Sequence, residues 1–300
     1  MVCRIALFIA EIFSSSAIAQ SPGPTPRPDG RANNQIRALE DENSRFDRLR
    51  SIEKLSPKSP PKFHPLLDRK TGIYRKASEE ETRVLAVDES HISTYRLFLK
   101  QPGTGIVKLS GDSSCISDGD LVIAKEQCID LKMPGAGTSF SFRLESYRLP
   151  RLADLVLFNG MFGADSVLQQ FALVRLGEVD IEQVGMDSPG IKYLIDMQPL
   201  RDRTLFAGYD AEITKGIESG GFLYRKGHPV VYGATYALRS IAFRGKYLRS
   251  IDGVEYDEMD YDRRRDVIVV FRVVGLDSAG NATIVWKRLR EIESPSLKGT

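Results

Sequence analysis

Residues 267–289 read VIVVFRVVGLDSAGNATIVWKRL, and they carry the clearest indication of how this chain folds. The run from Val267 to Val274 is almost entirely apolar, which is typical of a strand buried on both faces at the centre of a sandwich or barrel. The segment Asp277–Asn281 is rich in turn-forming residues, and a strand-like segment, Thr283–Leu289, follows it. The sequence therefore predicts a β-hairpin within an antiparallel sheet.

Weaker strand patterns precede this hairpin. Apolar and polar residues alternate over residues 139–145, which predicts a strand with Phe140 and Phe142 buried and its serines facing solvent. The residues Tyr95, Leu97 and Leu99 alternate in the same way. Across residues 230–243 the phase of the alternation changes, which predicts a β-bulge near Ser240. A helix is expected near residues 167–176.

These patterns predict a mainly β protein with antiparallel, sandwich- or barrel-like sheets. We expect two β-rich lobes, residues 74–150 and 151–293, followed by a tail at 294–300. Ser78 and Glu81 have the spacing of a helix capping box, so a short helix is expected at the start of the first lobe.

The N-terminus has the pattern of a secretory signal. Arg4 precedes the apolar run Ile5–Ala10, and small residues at Ala17 and Ala19 fit the specificity of a signal peptidase. We therefore expect residues 1–19 to be removed before Gln20. A charge at Glu11 within the apolar region leaves a retained N-terminal helix as the alternative. No later apolar run is long enough to span a membrane as a helix, so an exported protein, periplasmic or extracellular, is predicted.

Residues 20–73 are predicted to form a Pro-rich, charged linker rather than part of the core. Within it, apolar residues recur at helical spacing over about 34–55, which predicts a short charged helix. Oligomerisation through this helix is an open alternative, although its heptad pattern does not persist for three or four repeats.

The net charge of +2 and the absence of a dense basic stripe argue against nucleic acid as the main partner. Once the signal has been removed, two cysteines remain, Cys115 and Cys128. In an exported chain this pair favours one structural disulfide, with two free thiols as the alternative.

An acidic segment at residues 252–262 is the least ordinary part of the sequence. It contains six carboxylates, and Asp257, Asp260 and Asp262 are candidate calcium ligands because calcium prefers clustered oxygens. Tyr256 and Tyr261 are candidate binding residues, since tyrosine rings offer flat faces to a sugar or peptide. The alternative is a solvated loop whose acids are balanced by Arg263–Arg265.

Catalytic patterns are sparse. His64, His91 and His228 have no metal-ligand spacing and are each expected at the surface or in a turn. No serine lies in a nucleophile elbow, and no glycine-rich segment has phosphate-binding spacing. The catalytic residues therefore stay unknown, and no cofactor is expected apart from the calcium alternative.

Three function classes remain. The sequence favours a non-enzymatic binding or interaction module of the cell envelope or extracellular space, whose partner is an envelope protein or polymer. The first alternative is a carboxylate-dependent hydrolase of envelope or environmental polymers, which predicts a cleft with two close acids. The second is a structural envelope protein that self-associates through residues 34–55.

Overall fold

The computed structural model describes residues 76–117, 120–121, 131, 133–251 and 254–298. The predicted signal at 1–19, the linker at 20–73 and its helix at 34–55 lie outside these residues. The strands are β1 (Thr104–Leu109), β2 (Ile116–Ser117), β3 (Asp120–Leu121), β4 (Ser139–Ser141), β5 (Ser146–Tyr147), β6 (Leu155–Phe158), β7 (Met161–Gly163), β8 (Gln169–Gly177), β9 (Ile217–Ser219), β10 (Phe222–Arg225), β11 (Gly227–Pro229), β12 (Thr235–Ala242), β13 (Leu248–Ile251), β14 (Val254–Asp257), β15 (Arg265–Leu276) and β16 (Ala282–Glu293).

The helices are shorter and lie between the strands. The α-helices are α1 (Glu79–Thr82), α2 (Glu89–Thr94), α3 (Lys192–Asp196) and α4 (Arg203–Lys215), and the 3-10 helices are Arg83–Leu85, Phe98–Lys100, Pro134–Gly137, Pro150–Leu152, Ile181–Gln183 and Glu258–Tyr261. The predicted capping box is confirmed, because Ser78 caps α1 and Glu81 reaches back to the Ser78 backbone N–H. None of the described helices is both long enough and apolar enough to cross a membrane.

The described strands form two main antiparallel sheets. The first has seven strands in the order β1-β16-β15-β12-β8-β10-β9, and the second has five in the order β11-β7-β6-β4-β5. The mainly β, antiparallel architecture that the sequence predicted is therefore confirmed. Two short ladders, β13-β14 and β2-β3, lie outside these sheets.

The predicted hairpin at residues 267–289 is confirmed as β15 and β16. Phe271 lies opposite Trp286 in this antiparallel pair. The second edge of β15 pairs with β12, so the strand lies inside the seven-stranded sheet. Residues 266–271 of β15 are all buried, which explains why the sequence is apolar without alternation.

Each face of the seven-stranded sheet packs on a different core. The first core joins this sheet to the five-stranded sheet, as in a β-sandwich, through residues such as Phe142, Phe162 and Phe271. The second core lies on the opposite face of the sheet, where Ile213 of α4 and Leu194 of α3 pack against it. The resulting order of layers is five-stranded sheet, seven-stranded sheet and helices.

The bulge predicted near Ser240 is wrong. The register of β12 shifts instead between Thr235 and Tyr236. All of β12 is buried, with Leu238 in the first core and Ile241 in the second. Ser240 is a buried polar residue within the strand, so the alternation changes phase in the sequence without a register shift at Ser240.

Two other local predictions are also wrong, and one helix was missed. Residues 95–99 do not form a strand, because they follow α2 through a turn into the 3-10 helix Phe98–Lys100. Residues 169–177 form strand β8 rather than a helix, and both faces of its first half are buried. The longest described helix, α4, was not predicted, since its thin apolar face buries only Ile213.

The solvent-facing side predicted for residues 139–145 is wrong as well. Strand β4 ends at Ser141, and the chain turns into β5. Ser139, Ser141 and Arg143 are all buried, because each has a polar partner inside the protein. Ser139 donates to the Arg148 carbonyl, whereas Ser141 donates to Asp154.

The predicted division near Pro150 does not separate the sheets. Strand β4 before it pairs with β6 after it, and β1 pairs with β16. The predicted tail at 294–300 continues the fold as far as it is described, since Leu297 is buried in the second core.

Candidate functional site

The β6–β7 hairpin lies inside the five-stranded sheet, where β6 also pairs with β4 and β7 also pairs with β11. Its loop has two residues, Asn159 and Gly160, with φ of 49° and 71°. Positive φ at both loop positions is typical of a type I′ turn, whose twist matches that of paired strands. The turn sets Phe158 opposite Met161 at the tip of the hairpin.

The two faces of this hairpin are both apolar. Leu155, Leu157 and Phe162 belong to the first core. The alternate residues Val156, Phe158 and Met161 are outside that cluster and line a cavity on the other side. The outer face of an antiparallel sandwich is ordinarily polar. An apolar outer face at this position is therefore unusual and indicates a surface that contacts a ligand or another apolar group.

The cavity has a volume of about 710 Å³, which is within the range of small-molecule binding sites. Its wall combines parts of the chain that are far apart in sequence. The described lining residues are Ser113, Thr138, Pro150, Val156, Phe158, Asn159, Met161, Phe162, Gly163, Ala164, Asp165, Lys226 and Gly227.

Two large apolar side chains stand exposed at the opening of the cavity. Phe158 is 54% exposed and Met161 is 39% exposed. Single exposed apolar residues are ordinary, but neighbouring ones beside an apolar cavity are typical of a binding surface. The cavity and these two residues are the candidate site.

The cavity wall contains few charged groups. The ammonium group of Lys226 binds both carboxylate oxygens of Asp210, at 2.8 and 3.1 Å. Asp165 is exposed. The described lining is thus mostly apolar with a few polar groups, as in ligand pockets generally.

Strand β11 completes this wall and contains His228, which was predicted at the surface or in a turn. That prediction is wrong, because His228 is buried. Its Nε2 lies 3.2 Å from the Leu173 carbonyl and 3.1 Å from the Leu223 carbonyl, so the ring connects β11 to β8 and β10. Burial lowers the pKa of His228, and the neighbouring Arg225 and Arg175 lower it further, although the two carbonyls partly oppose this.

Acidification is expected to destabilise the protein through His228. Unfolding returns the ring to an ordinary pKa near 6.5, so the unfolded chain binds more protons between that value and the lowered pKa of the folded state. The contribution of His228 to the free energy of unfolding is complete above about pH 6.5. It is lost as the pH falls towards the pKa of His228 in the folded state. In urea unfolding at pH 7.5 and 5, His228→Gln should lose less stability than the wild type.

His91→Gln, in α2, controls for the loss of a histidine elsewhere. Equal losses of stability in the wild type and His228→Gln would contradict this assignment.

The acidic segment is mostly engaged within the protein. Asp262 binds the buried guanidinium groups of Arg143 at 3.2 Å and Arg264 at 2.7 Å. Asp257 accepts hydrogen bonds from the backbone N–H groups of Tyr247 and Met259. A uniformly solvated loop is therefore wrong for this segment, although Arg264 does balance one of its acids.

The candidate calcium ligands do not assemble into a metal site. Asp260 is exposed, whereas Asp257 and Asp262 have the protein partners just described. In the described ranges, no three His, Cys, Asp or Glu residues are grouped so that they could hold a metal ion. These three acids do line a second, smaller cavity of about 280 Å³.

The candidate binding tyrosines contact each other. The rings of Tyr256 and Tyr261 pack edge to face, with centroids 6.1 Å apart. Tyr256 is buried against Leu149 and Leu152. Its ring therefore stabilises a small third core and offers no open face to a ligand.

The predicted disulfide stays a prediction. Cys115 is fully buried in the first core, and Cys128 lies outside the described residues.

The comparisons with known proteins gave no match: no family model, no curated protein and no solved structure is similar to this chain.

The residues of the cavity were not predicted from the sequence, although two signals were present. Asn159–Gly160 between apolar residues is a strong indication of a hairpin. The run Leu155–Phe158 is apolar throughout, which implies contacts on both faces of the strand.

Proposed function

We propose that this chain is an exported, non-enzymatic binding protein of the cell envelope or extracellular space. It holds an apolar group of its ligand in the cavity beside the β6–β7 hairpin. The N-terminal pattern of Arg4, Ile5–Ala10 and Ala17–Ala19 supports export.

One observation carries the proposal. A two-residue turn places Phe158 opposite Met161, and both line a cavity whose described wall is largely apolar. Leaving such side chains in water has a cost that burial against a ligand removes, at about 25 cal/mol per Å² of apolar surface. A fixed hairpin also limits the conformational entropy lost on binding.

A carboxylate-dependent hydrolase is less well supported. The buried carboxylates of Asp154 and Asp262 both contact Arg143. Asp154 also accepts hydrogen bonds from two buried serines. A general acid or base must reach the reacting atoms of a substrate, and these two side chains are almost completely enclosed.

Binding of a neutral apolar dye tests the proposal. We expect N-phenyl-1-naphthylamine, whose fluorescence rises in apolar surroundings, to bind the purified protein saturably. The double variant Phe158→Ser/Met161→Ser should weaken binding by on the order of tenfold, because each truncation removes part of the apolar contact and about 1.4 kcal/mol corresponds to tenfold.

Leu97→Ser is the matched control. Leu97 is 75% exposed and does not line the cavity, so this variant should bind the dye as the wild type does. Urea unfolding of all three proteins shows whether any loss of binding reflects loss of folding. Dye binding that the Phe158/Met161 variant retains in full would overturn the proposed site.

A further inference from the structure

Among the described residues that line the cavity, two carry charge, Lys226 and Asp165. They differ in their surroundings. The Lys226 ammonium lies between both carboxylate oxygens of Asp210, so its charge is balanced within the protein. Asp165 is exposed and forms no ion pair with any part of the chain that the structure describes. Among the described lining residues, the unbalanced charge is therefore negative.

The position of Asp165 follows from the hairpin. Strand β7 ends at Gly163, and the chain continues through Ala164 to Asp165 before it enters β8. The same cavity is lined on the β6 side by Val156 and Phe158. The apolar residues of the wall and the Asp165 carboxylate consequently belong to one site.

We propose that the ligand of this cavity is an amphipathic cation, whose apolar part packs against Phe158 and Met161 while its cationic group binds Asp165. This inference rests on the proposed function, because it assigns a chemical class to the ligand of the same cavity.

Two physical effects favour this class over an anionic amphiphile of equal length. A cation near the Asp165 carboxylate gains an ion pair, whereas an anion is repelled. A quaternary ammonium group also interacts favourably with an aromatic ring, and Phe158, which lines the cavity, is 54% exposed.

The preference for the cation is expected to be modest because Asp165 is in contact with water. Exposed ion pairs contribute about 0.2–1 kcal/mol, which at its upper end corresponds to a ratio of about fivefold in affinity. Raising the salt concentration should reduce the ratio, since salt screens exposed charges.

Two amphiphiles with the same decyl chain test the inference. Decyltrimethylammonium and decyl sulfate, both kept below their micelle concentrations, are used to displace N-phenyl-1-naphthylamine from the full chain. The wild type should prefer the ammonium compound by about fivefold. Asp165→Asn should bind the two compounds about equally.

Asp187→Asn is the matched control, because Asp187 is exposed and does not line the cavity. It should retain the preference of the wild type. Equal affinities for both amphiphiles in the wild type, or a preference for the sulfate, would overturn the inference and leave the proposed apolar site intact. Failure of the dye and of both amphiphiles to bind would overturn the proposed function itself.

Discussion

Asp154→Ala is expected to lower the free energy of unfolding by about 3–5 kcal/mol, as is usual when one partner of a buried ion pair is removed. Asp154 is fully buried, and its carboxylate connects the two sheets. It accepts from Ser141 of β4 at 3.1 Å and from Ser240 of β12 at 2.6 Å. The Arg143 guanidinium approaches it at 3.4 Å.

The alanine variant removes all of these contacts at once. Ser240 would keep the hydrogen bond from Gln169 at 2.7 Å, but its own hydroxyl would lose its acceptor. The Arg143 guanidinium would remain buried with Asp262 as its remaining counter-ion. Both losses occur away from water, where unsatisfied polar groups cost about 1–3 kcal/mol each.

Two further variants separate the causes. Asp154→Asn retains an acceptor oxygen without the charge, so we expect about half the loss, about 2 kcal/mol. Asp165→Ala removes an exposed acid and should change stability by no more than about 0.5 kcal/mol. Urea unfolding measures all three. An Asp154→Ala loss as small as that of Asp165→Ala would contradict the assigned role.

Arg239→Ala is expected to destabilise the protein by a similar amount, about 3–5 kcal/mol. Arg239 is buried in β12 and binds the Asp266 carboxylate through two contacts, at 2.9 and 2.7 Å. Its Nη1 also donates to the carbonyls of Leu194, Ile195 and Met197 at the end of α3. Alanine would leave these acceptors without this donor.

Arg239→Lys tests whether the geometry of the guanidinium matters. A lysine keeps the charge but lacks the planar fork that binds a carboxylate through two hydrogen bonds, so we expect a loss of about 2 kcal/mol. Arg175→Lys on the neighbouring β8 is the matched control, because Arg175 is exposed. If the free energy of unfolding of Arg239→Ala is close to that of the wild type, the contacts of Arg239 with α3 do not stabilise the protein.

The elements that were predicted correctly from the sequence are those whose residue pattern follows directly from burial or from local contacts. Strand β15 is apolar because both of its faces pack on a core. The α1 capping box is local and needs no information from elsewhere in the chain. In both places the deciding contacts are either local or uniformly apolar.

The predictions failed where a buried polar residue finds its partner far away in the sequence. In the sequence, Ser141 resembles a solvent-facing residue and Ser240 resembles the site of a bulge. In the structure, both serines are buried and donate hydrogen bonds to Asp154. A pattern of polarity along one strand contains no information about that third residue. The phase change in β12 and the solvent-facing side that was wrongly predicted for β4 therefore have the same physical cause.

The candidate site was harder to predict for the same reason. Asn159–Gly160 indicates the hairpin, and the apolar run before it indicates contacts on two faces. The cavity itself also needs Pro150 and Gly227, which belong to separate elements. The clustered acids of residues 252–262 form a more conspicuous pattern in the sequence, but Asp257 and Asp262 have partners within the protein.

The most direct test of the binding site is methyl NMR of the protein labelled at its methionine methyl groups and titrated with N-phenyl-1-naphthylamine. Met161, at the opening of the cavity, is 39% exposed, whereas Met197 is buried in the second core and serves as an internal control. We predict a saturable shift of the Met161 signal while the Met197 signal stays in place. An unmoved Met161 signal at saturating dye, or equal shifts of both signals, would contradict binding in this cavity.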